Sequence, residues 1–479
     1  MRDTSSDARA AALERIRALL GPAGCIEAPD RQERFLTDFR SLYSGATPLV
    51  ACPTTTTEVA QVLALCNGSG IGVVPQGGNT SYCGGATPSA KGDQVVLSLH
   101  RLNRIRETDA ANFSLVAEAG CVLADVQSAA QAADRLFPLS LGSEGSCQVG
   151  GNLSTNAGGL AAVHYGVARD LVLGLEVVLA DGRVIDGLTS LRKDNTGYDL
   201  RNLFIGAEGT LGVITAASLK LFPRPRTVET AFVAVPGMSA AVELLAHLRA
   251  ATGDCVTSFE YLPRIALEFT VRHIPGVADP LGAAYPAYVL CEVSTARQDP
   301  QLRGLLEDAL GTAMERGQVL EAAFAESIAQ REALWRLRES VPEAQRHEGA
   351  SIKHDVSVPV AALPAFLAQA ADAVARAAPT ARLVAYGHVG DGNLHFNLSE
   401  PANGGDRQSF LALQDAIGEA VYACVREFRG SISAEHGIGQ LKRDLLARHK
   451  DPVALATMRS IKQALDPRGI LNPGKVLPA

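Results

Sequence analysis

Residues 75–85 read PQGGNTSYCGG and directly follow a short apolar strand pattern, IGVVP at 71–75. The stretch combines glycines with small polar residues, so its backbone N–H groups can converge on an anion without the help of a lysine. A second stretch, GSEGSCQVGGNLSTNAGG at 142–159, has the same character. One such loop alone is most often an ordinary tight turn. Two of them this close together predict a large cofactor that carries phosphate groups.

The common nucleotide-binding signatures do not account for this cofactor. Gly68, Gly70 and Gly72 do not form the pattern G-x-G-x-x-G. Residues 469–475 fit the spacing G-x-x-x-x-G-K, but Val476 stands where a phosphate-binding loop needs Ser or Thr to hold Mg²⁺. We therefore expect the cofactor to be held in another way.

Composition excludes several classes of protein. The chain has 479 residues, of which 47% are hydrophobic, and a net charge of −7, which argues against disorder and against a nucleic-acid binder. Its nine cysteines include no C-x-x-C, so a disulfide framework, a cysteine-rich zinc site and an iron–sulfur cluster are not expected. The apolar run 171–180 is about half the ~20 residues that span a bilayer. Residues 1–4 begin no apolar signal region, and we predict a cytoplasmic protein.

The first half of the chain predicts alternating strands and helices after an amphipathic helix at 7–20. TTTEVAQVLALC begins with threonines and runs into NGSG, as expected of a helix with a stop signal. Residues 171–186 predict a β-hairpin that turns at Asp181-Gly182. The two prolines of LFPRPR indicate a domain boundary near residue 225.

The second half predicts apolar strands, such as ETAFVAVP and AYVLCEV, between long helices. This order indicates an α+β domain with an antiparallel sheet. The predicted helices are 300–316, 321–347 and 361–377.

Longer motifs resemble a known family. PQGGNTSYCGG, GGNLSTNAGG, RDLVLGLEVVLADGRV and NTGYDLRNLFIGAEGTLGVIT are similar to the FAD-binding domain of the vanillyl-alcohol oxidase / p-cresol methylhydroxylase superfamily. YGHVGDGNLHFN, SAEHGIG and LDPRGILNPGK resemble its FAD-linked D-2-hydroxy-acid dehydrogenases, most closely those that act on D-2-hydroxyglutarate. The resemblance implies an α+β fold whose FAD domain is built in two parts. The implied limits are an N-terminal helical segment 1–46, an FAD-binding domain 47–225, a substrate domain 226–425 and a C-terminal helical segment 426–479 that returns to the FAD.

The resemblance implies that both glycine-rich loops wrap the FAD diphosphate. Many relatives attach FAD covalently through a histidine in or near these loops, but here the loops contain none, so we expect noncovalent FAD. The implied FAD-binding residues are Pro75, Gly77, Gly78, Asn79, Thr80, Ser81, Gly84, Gly142, Ser146, Gly151, Asn152, Thr155, Asn156, Gly159, Glu208, Gly209, Gly212, Ile214 and Asn472.

A metal site is predicted near the C-terminal end. His388 and His395 flank a Gly-Asp-Gly-Asn turn, so a hairpin can bring both imidazoles to one ion. Two histidines and a carboxylate are typical of a catalytic divalent metal. The alternative is a pair of hydrogen-bonded core histidines. The resemblance names His388, His395 and Glu435 as ligands, with zinc as first choice and Mn²⁺ or Fe²⁺ open. Asp391 is expected to form the turn or to orient a ligand rather than to bind the metal.

The remaining chemical roles are assigned by the resemblance. His436 is the predicted general base, since a neutral imidazole near pH 7 can take the hydroxyl proton of a metal-bound alcohol. Arg338, Lys353, Asn397 and His436 are the predicted substrate-binding residues, although a lone Arg or Lys is more often solvated surface. Pro342 departs from the family, which usually has a threonine there, and removes a hydroxyl donor from the substrate pocket.

The resemblance and these residues together imply the oxidation of a D-2-hydroxy acid to the 2-oxo acid, with hydride transfer to flavin N5. D-2-hydroxyglutarate is the first choice of substrate, with D-lactate, glycolate or another D-2-hydroxy acid as alternatives. Because the sequence has no iron–sulfur motif, electrons are expected to pass to an external acceptor, which the resemblance implies is an electron-transfer flavoprotein or a quinone. A non-redox flavin enzyme and a flavin-binding partner protein are more remote alternatives. The sequence does not decide the oligomeric state, for which a homodimer is one option.

Overall fold

The computed structural model describes residues 4–402 and 406–478. Residues 1–3, part of the stretch used for the signal-region prediction, lie outside the described residues. The chain folds as two compact units. Unit 1 contains the described residues up to Ala157, then Val167–Arg224 and the segment from Glu435 onward, and unit 2 contains Gly158–Gly166 and Pro225–Ala434.

Helices and strands alternate along most of the chain, and the predicted α+β class is confirmed. The helices are α1 (Thr4–Leu20), α2 (Pro29–Leu36), α3 (Thr56–Ser69), α4 (Leu123–Ala132), α5 (Val149–Ser154), α6 (Ala162–Tyr165), α7 (Arg201–Phe204), α8 (Met238–Ala251), α9 (Arg264–His273), α10 (Leu302–Glu315), α11 (Ile328–Glu339), α12 (Val341–His347), α13 (Leu363–Ala377), α14 (Arg407–Ala412), α15 (Gln414–Glu427), α16 (Arg443–His449) and α17 (Pro452–Leu465). The strands are β1 (Cys25–Ile26), β2 (Val50–Ala51), β3 (Gly72–Gln76), β4 (Gln94–Ser98), β5 (Ile105–Asp109), β6 (Ser114–Glu118), β7 (Arg135–Leu136), β8 (Val172–Val178), β9 (Val184–Gly187), β10 (Val213–Lys220), β11 (Phe222–Pro223), β12 (Thr227–Val235), β13 (Val256–Pro263), β14 (Ala287–Thr295), β15 (Glu321–Phe324), β16 (Ser351–Ile352), β17 (Asp355–Ser357), β18 (Arg382–Tyr386) and β19 (Asn393–Ser399).

Unit 1 contains a small sheet of order β1-β2-β4-β3, in which β2, β4 and β3 are parallel. Helix α3 connects β2 to β3, which lie on opposite sides of β4 and run parallel to it. It begins at Thr55, whose hydroxyl accepts from the N–H of Glu58, and ends at Gly70 with a φ of 66°. The helix and stop signal predicted from TTTEVAQVLALC-NGSG are therefore confirmed.

The second sheet of unit 1 is antiparallel, with the order β5-β6-β10-β8-β9. The predicted hairpin is confirmed as β8 and β9, and Gly182 has a φ of 88° in its turn. The C-terminal segment also reaches this unit, because its residues run beside β3. The N–H of Val73 donates to the carbonyl of Ile470, and the N–H of Asn472 donates to that of Val73.

Unit 2 is built on an antiparallel sheet of order β13-β14-β12-β15. The predicted continuous helix 321–347 is wrong at its start and in its middle. Residues 321–324 form β15, because they pair with the buried edge of β12. Helix α11 begins only after Ser327, whose side chain accepts from the N–H of Gln330. A new helix, α12, begins near Pro342, which lacks the N–H that a continuing helix would need.

A second sheet of unit 2 has β19 at its centre, with β18 on one side and β16 and β17 on the other. The hairpin predicted around the Gly-Asp-Gly-Asn turn is confirmed, with Tyr386 opposite His395. The two sheets of the unit meet where Tyr261 of β13 and Gly387 exchange two backbone hydrogen bonds, of 2.9 and 3.0 Å. This junction determines where the next residue, His388, lies.

Among the described residues one helical stretch, Val360–Ala377, is long and apolar enough to cross a membrane by length and composition alone. Its helix α13 packs against α15 and α8 inside unit 2. The buried residues Leu363, Phe366, Ala370 and Val374 recur at helical spacing. This is the pattern of a helix that covers a core with one face.

Glu348, which follows α12, connects this helix to α9 and β18 through hydrogen bonds. Its carboxylate accepts hydrogen bonds from Arg382 of β18 and from Arg272 and His273 at the end of α9. Burial alone would raise the pKa of Glu348, but the hydrogen bonds from these three partners hold this pKa at about 2. The carboxylate therefore stays ionised and bridging at neutral pH.

Replacing Glu348 by Gln should lower the stability of the protein in a pH-dependent way. The folded-state pKa lies below the unfolded one, so the contribution is complete above about pH 4.5 and is lost as the pH falls towards 2. We expect a loss of roughly 2–3 kcal/mol at pH 7 that shrinks at pH 3. Thermal unfolding by circular dichroism between pH 3 and 7 measures it. Glu307→Gln, which breaks a more exposed pair with Arg303, is the control and should change little.

Candidate functional site

The β18–β19 hairpin brings His388 and His395 together in unit 2. Their ring centroids lie 5.4 Å apart, with the planes inclined by 75°. Gly387 precedes His388 with a φ of 140°, and a Cβ on it would lie 3.2 Å from Cδ2 of His395. A glycine is therefore needed at residue 387 for the two imidazoles to share this space.

Glu260, which the sequence analysis missed, is a buried neighbour of His388. Its Oε1 lies 2.7 Å from Nδ1 of His388, and its Oε2 accepts a hydrogen bond of 2.8 Å from Nε of Arg338. Burial alone would raise the pKa of Glu260, but His388 and Arg338 outweigh it and hold the pKa at about 2. The signal in the sequence was a carboxylate in the middle of the apolar strand VTSFEYLP, since buried charges are rare unless they are paired.

The bond to Glu260 determines which nitrogen of His388 can bind a metal. An ionised carboxylate only accepts, so Nδ1 of His388 donates to Glu260 and Nε2 is the nitrogen left to bind a metal. Histidine ligands of metals usually donate their other N–H in this way. The donor set at His388 therefore fits a divalent metal.

His395 also faces a carboxylate, that of Asp355. Asp355 pairs with His395 across β17 and β19, and its Oδ1 lies 3.9 Å from Nδ1 of His395. The same oxygen accepts from Nδ2 of Asn393. Asp355 is buried and was not predicted as a site residue, although it too is a charged residue within a strand pattern.

The predicted substrate-binding residues of unit 2 lie around this sheet. Arg338 is buried, with its guanidinium 4.9 Å from the ring centroid of Tyr386. Nδ2 of Asn397 donates to Oε1 of Gln345 at 3.0 Å. Lys353 is half-buried in the short connection between β16 and β17.

Asp391 lies in the turn, as expected, and its side chain accepts a hydrogen bond from the backbone N–H of Asn393.

In unit 1 the two glycine-rich loops pack directly against each other. An ideal Cβ on Gly78 would lie 2.2 Å from the carbonyl oxygen of Ser146, so the loops approach closely because residue 78 has no side chain. A Cβ on Gly209 would lie 3.0 Å from the ring of Pro75. The loop that contains Gly209 therefore lies against the start of the first glycine-rich loop.

Asn472 and Glu208 connect the predicted FAD segments to one another. Nδ2 of Asn472 donates to the carbonyls of Gly85 and Glu208 at 2.9 and 2.7 Å. The carboxylate of Glu208 accepts from the N–H groups of Ile438 and Gly439 at 2.7 and 2.8 Å. Burial raises the pKa of Glu208. Its side chain thus holds the SAEHGIG segment, whereas the resemblance implied only an FAD-binding role for Glu208.

Unit 1 also contains buried polar atoms that suit a polar ligand. Within residues 4–402 and 406–478, four side-chain oxygens near these loops are buried without a hydrogen-bond partner: Oε1 of Gln76, Oγ1 of Thr87, Oε1 of Gln148 and Oδ1 of Asn472. Unsatisfied buried groups of this kind call for a ligand or water. The clustered glycines and these atoms fit a large polar cofactor such as FAD.

Other predicted FAD residues have structural partners. Nδ2 of Asn79 donates to the carbonyls of Arg34 and Thr37, and Oδ1 of Asn156 accepts from the N–H of Arg169. The remaining predicted residues of unit 1 are Gly77, Thr80, Ser81, Gly84, Gly142, Gly151, Asn152, Thr155, Gly212 and Ile214, which lie in or next to the same loops and at the start of β10. Gly159 belongs to unit 2.

His436, the predicted base, and Glu435, the predicted third ligand, belong to unit 1. Nε2 of His436 lies 3.6 Å from Oε1 of Glu435. The His436 ring packs edge-on against Tyr82, with centroids 4.7 Å apart. Tyr82 comes from the first glycine-rich loop, so the predicted base lies next to the predicted FAD site.

Comparisons with known families and structures agree with this geometry. The family "FAD binding domain" matches residues 47–187, and "FAD linked oxidases, C-terminal domain" matches residues 224–476. The fold is similar to that of p-cresol methylhydroxylase, with a TM-score of 0.75 at 18% identity, covering 98% of this chain and 97% of that one. Alkyldihydroxyacetonephosphate synthase gives a TM-score of 0.72 at 16% identity, covering 97% and 84%.

Several curated proteins are similar over almost the whole chain. The mitochondrial D-2-hydroxyglutarate dehydrogenase of Arabidopsis thaliana is 39% identical over 97% of this chain and 81% of its own length. That of Rattus norvegicus is 40% identical, covering 96% and 83%. The D-2-hydroxyglutarate–pyruvate transhydrogenase of Saccharomyces cerevisiae is 35% identical, covering 94% and 90%.

The predicted cytoplasmic location is wrong on this comparison. The plant and rat relatives are named mitochondrial, which points to mitochondria rather than the cytoplasm. The absence of an apolar signal pattern in the first residues carries no information about this compartment.

Gly78→Ala should weaken FAD binding, because the new methyl group would collide with the Ser146 carbonyl and force the loops apart. Overpacking costs about 1–3 kcal/mol, so we expect binding weaker by on the order of tenfold. FAD released by acid precipitation, per mole of chain, measures the effect. The control is Gly68→Ala, where a Cβ meets nothing within 4 Å and FAD content should stay unchanged.

Proposed function

Since the chain belongs to the FAD-linked D-2-hydroxy-acid dehydrogenases of the vanillyl-alcohol oxidase / p-cresol methylhydroxylase superfamily, we propose that it oxidises D-2-hydroxyglutarate to the 2-oxo acid. The observation that carries the proposal is the set of relatives at 35–40% identity whose names specify D-2-hydroxyglutarate. The paired histidines and the buried arginine of unit 2 support it chemically.

FAD is held noncovalently in this proposal. The two glycine-rich loops contain no histidine, and Cys83 and Cys147 are both buried thiols. Burial raises the pKa of the Cys147 thiol, which keeps it protonated and unreactive. Bound FAD supplies the two-electron oxidant for the alcohol.

A divalent metal, with zinc as first choice, is held by His388 and His395 in this proposal. Such an ion, when bound, lowers the pKa of a coordinated hydroxyl group. Nε2 of His388 is the donor atom, since Nδ1 donates to Glu260. Glu435 stays the predicted third ligand.

His436 takes the hydroxyl proton of the substrate. A histidine suits this task because its neutral form is available near pH 7. Tyr82 packs against the edge of the ring and restricts its rotation.

Arg338 and Lys353 bind substrate carboxylate in the proposal, and Asn397 contributes an amide. Arg338 can present a planar pair of N–H donors, whereas Lys353 offers a single ammonium. Pro342 lies at the start of α12 and brings no hydroxyl to this group.

Electrons leave to an external acceptor, either an electron-transfer flavoprotein or a quinone. A small 2-oxo acid such as pyruvate is a second candidate, because the yeast relative is named as a transhydrogenase that uses it. Stopped-flow reoxidation of the substrate-reduced enzyme with each acceptor distinguishes them.

Removing either histidine should abolish flavin reduction while FAD stays bound. In His388→Ala and His395→Ala we expect loss of the bound metal and near-complete loss of anaerobic bleaching by substrate, with an unchanged visible flavin spectrum. Metal analysis and stopped-flow absorbance measure both. His247→Ala removes a half-buried histidine of α8 in the same unit and should behave as wild type. A wild-type reduction rate in His388→Ala would refute the metal site.

The enzyme should prefer a D-configured dicarboxylate. A charged hydrogen bond to the distal carboxylate contributes roughly 1.5–3 kcal/mol, so kcat/KM for D-2-hydroxyglutarate should exceed that for D-lactate at least about tenfold. Arg338→Ala and Lys353→Ala should remove most of this preference. Steady-state kinetics with a dye acceptor measures it. Equal rates on both acids would favour a monocarboxylate substrate, and faster turnover of L-acids would contradict the proposal.

A further inference from the structure

We propose that Glu260 is a positioning residue that determines both the metal affinity of His388 and the orientation of Arg338 towards substrate. The inference rests on the proposed function, since it takes His388 as a metal ligand. It assigns a role to a residue that neither the motifs nor the comparisons single out.

The backbone places Glu260 where it can contact both partners. Tyr261 and Gly387 exchange two backbone hydrogen bonds, so their neighbours Glu260 and His388 are brought side by side. Glu260 lies on β13, which pairs with β14 in the central sheet of this unit. Its side chain is 1% exposed, so bulk water does not satisfy the carboxylate.

Each carboxylate oxygen of Glu260 serves a different partner. Oε1 accepts a hydrogen bond of 2.7 Å from Nδ1 of His388. Oε2 lies 2.8 Å from both Nε and Nη2 of Arg338, whose N–H groups face it. Since the two oxygens are fixed in one plane, the imidazole and the guanidinium are oriented by the same group.

The first consequence concerns the metal. A carboxylate that accepts from Nδ1 keeps Nε2 as the donor nitrogen and makes the imidazole a stronger ligand. Loss of such a partner typically weakens metal binding about 10–100-fold. Glu260 should therefore contribute to metal affinity without touching the ion.

The second consequence concerns the substrate. Nε and Nη2 of Arg338 are engaged by Glu260, and Nη1 makes no hydrogen bond to any residue in the described part of the chain. The guanidinium also lies against Tyr386, which limits its rotation. Glu260 thus holds the guanidinium of Arg338 in one orientation. The N–H groups of Arg338 that Glu260 does not use can then donate to a substrate carboxylate.

The molecule contains a matched control. Glu292 lies on β14, beside β13, and its carboxylate accepts from Nε and Nη2 of Arg331 at 2.7 and 3.0 Å. Arg331 and Arg338 both come from α11, about two turns apart. Glu292 also accepts from Thr230 and Trp335, and Arg331 is more exposed than Arg338, but Glu292 makes no contact with a predicted metal ligand among its hydrogen bonds in the described part of the chain.

The experiment compares Glu260→Gln with Glu292→Gln in the FAD-loaded protein. Zn²⁺ affinity is measured by competition with a chromophoric chelator, and correct folding by bound FAD and circular dichroism. We expect Zn²⁺ binding weaker by 10–100-fold in Glu260→Gln and unchanged in Glu292→Gln. Glu260→Asp, which keeps the charge, should recover part of the affinity and serves as the test if the Gln variant does not fold.

Kinetics test the second arm. In Glu260→Gln at saturating Zn²⁺, KM for D-2-hydroxyglutarate should rise several-fold more than KM for D-lactate, because only the dicarboxylate needs an oriented Arg338. Wild-type Zn²⁺ affinity in Glu260→Gln, or an equal loss in Glu292→Gln, would overturn the role of Glu260. Retention of Zn²⁺ in His388→Ala would instead overturn the proposed metal site itself.

Discussion

The Glu260 carboxylate, enclosed between a sheet and helix α11, imposes the main constraint on the second unit. Taking a charge out of water costs several kcal/mol, and only well-placed partners offset that cost. The cation of Arg338 and the N–H of His388 are those partners. Removing one of them would leave a buried charge uncompensated, at a cost of about 3–5 kcal/mol. Strand, helix and hairpin are therefore held in one arrangement by electrostatics as much as by packing.

The first unit depends on close backbone approach instead of charge. Its loops meet where glycine leaves space, as at Gly78, and the amide of Asn472 joins two further segments. Buried oxygens without partners among the described residues, such as that of Gln148, are what such a scaffold presents to a polar cofactor. One unit is thus held together by close backbone approach and the other by a buried ion pair.

Local sequence patterns were enough to predict several helices and hairpins of the fold. Helix α3 with its glycine stop and the hairpins at Asp181-Gly182 and around His388 follow from short-range signals of capping and turn chemistry. The error at 321–324 has a different origin. EAAF is a good helical sequence, and only its pairing with β12, some ninety residues earlier, makes it a strand. Tertiary pairing overrode local propensity there.

The candidate site also combines residues that local patterns predict with a residue that only the tertiary structure reveals. His388 and His395 were recognisable because a turn lies between them, whereas Arg338 was named only by the family resemblance. Glu260 lies 128 residues from His388 in the chain, so no spacing rule connects them. A lone carboxylate within an apolar strand was the only local sign, and its meaning depends on a sheet junction that a sequence does not display.

The pairing of residues 470–472 with β3 has a consequence for how the protein is made. Unit 1 needs the segment from Glu435 onward, which the ribosome delivers only after all of Pro225–Ala434. Contacts nearly 400 residues apart, such as that between Val73 and Ile470, are slow to form because a very long loop must close first. The second unit can fold during synthesis, whereas the first remains incomplete on its cofactor side until its last segment emerges. Flavin binding that needs this segment therefore comes late in biogenesis, and until then β3 lacks the backbone partners that Ile470 and Asn472 supply.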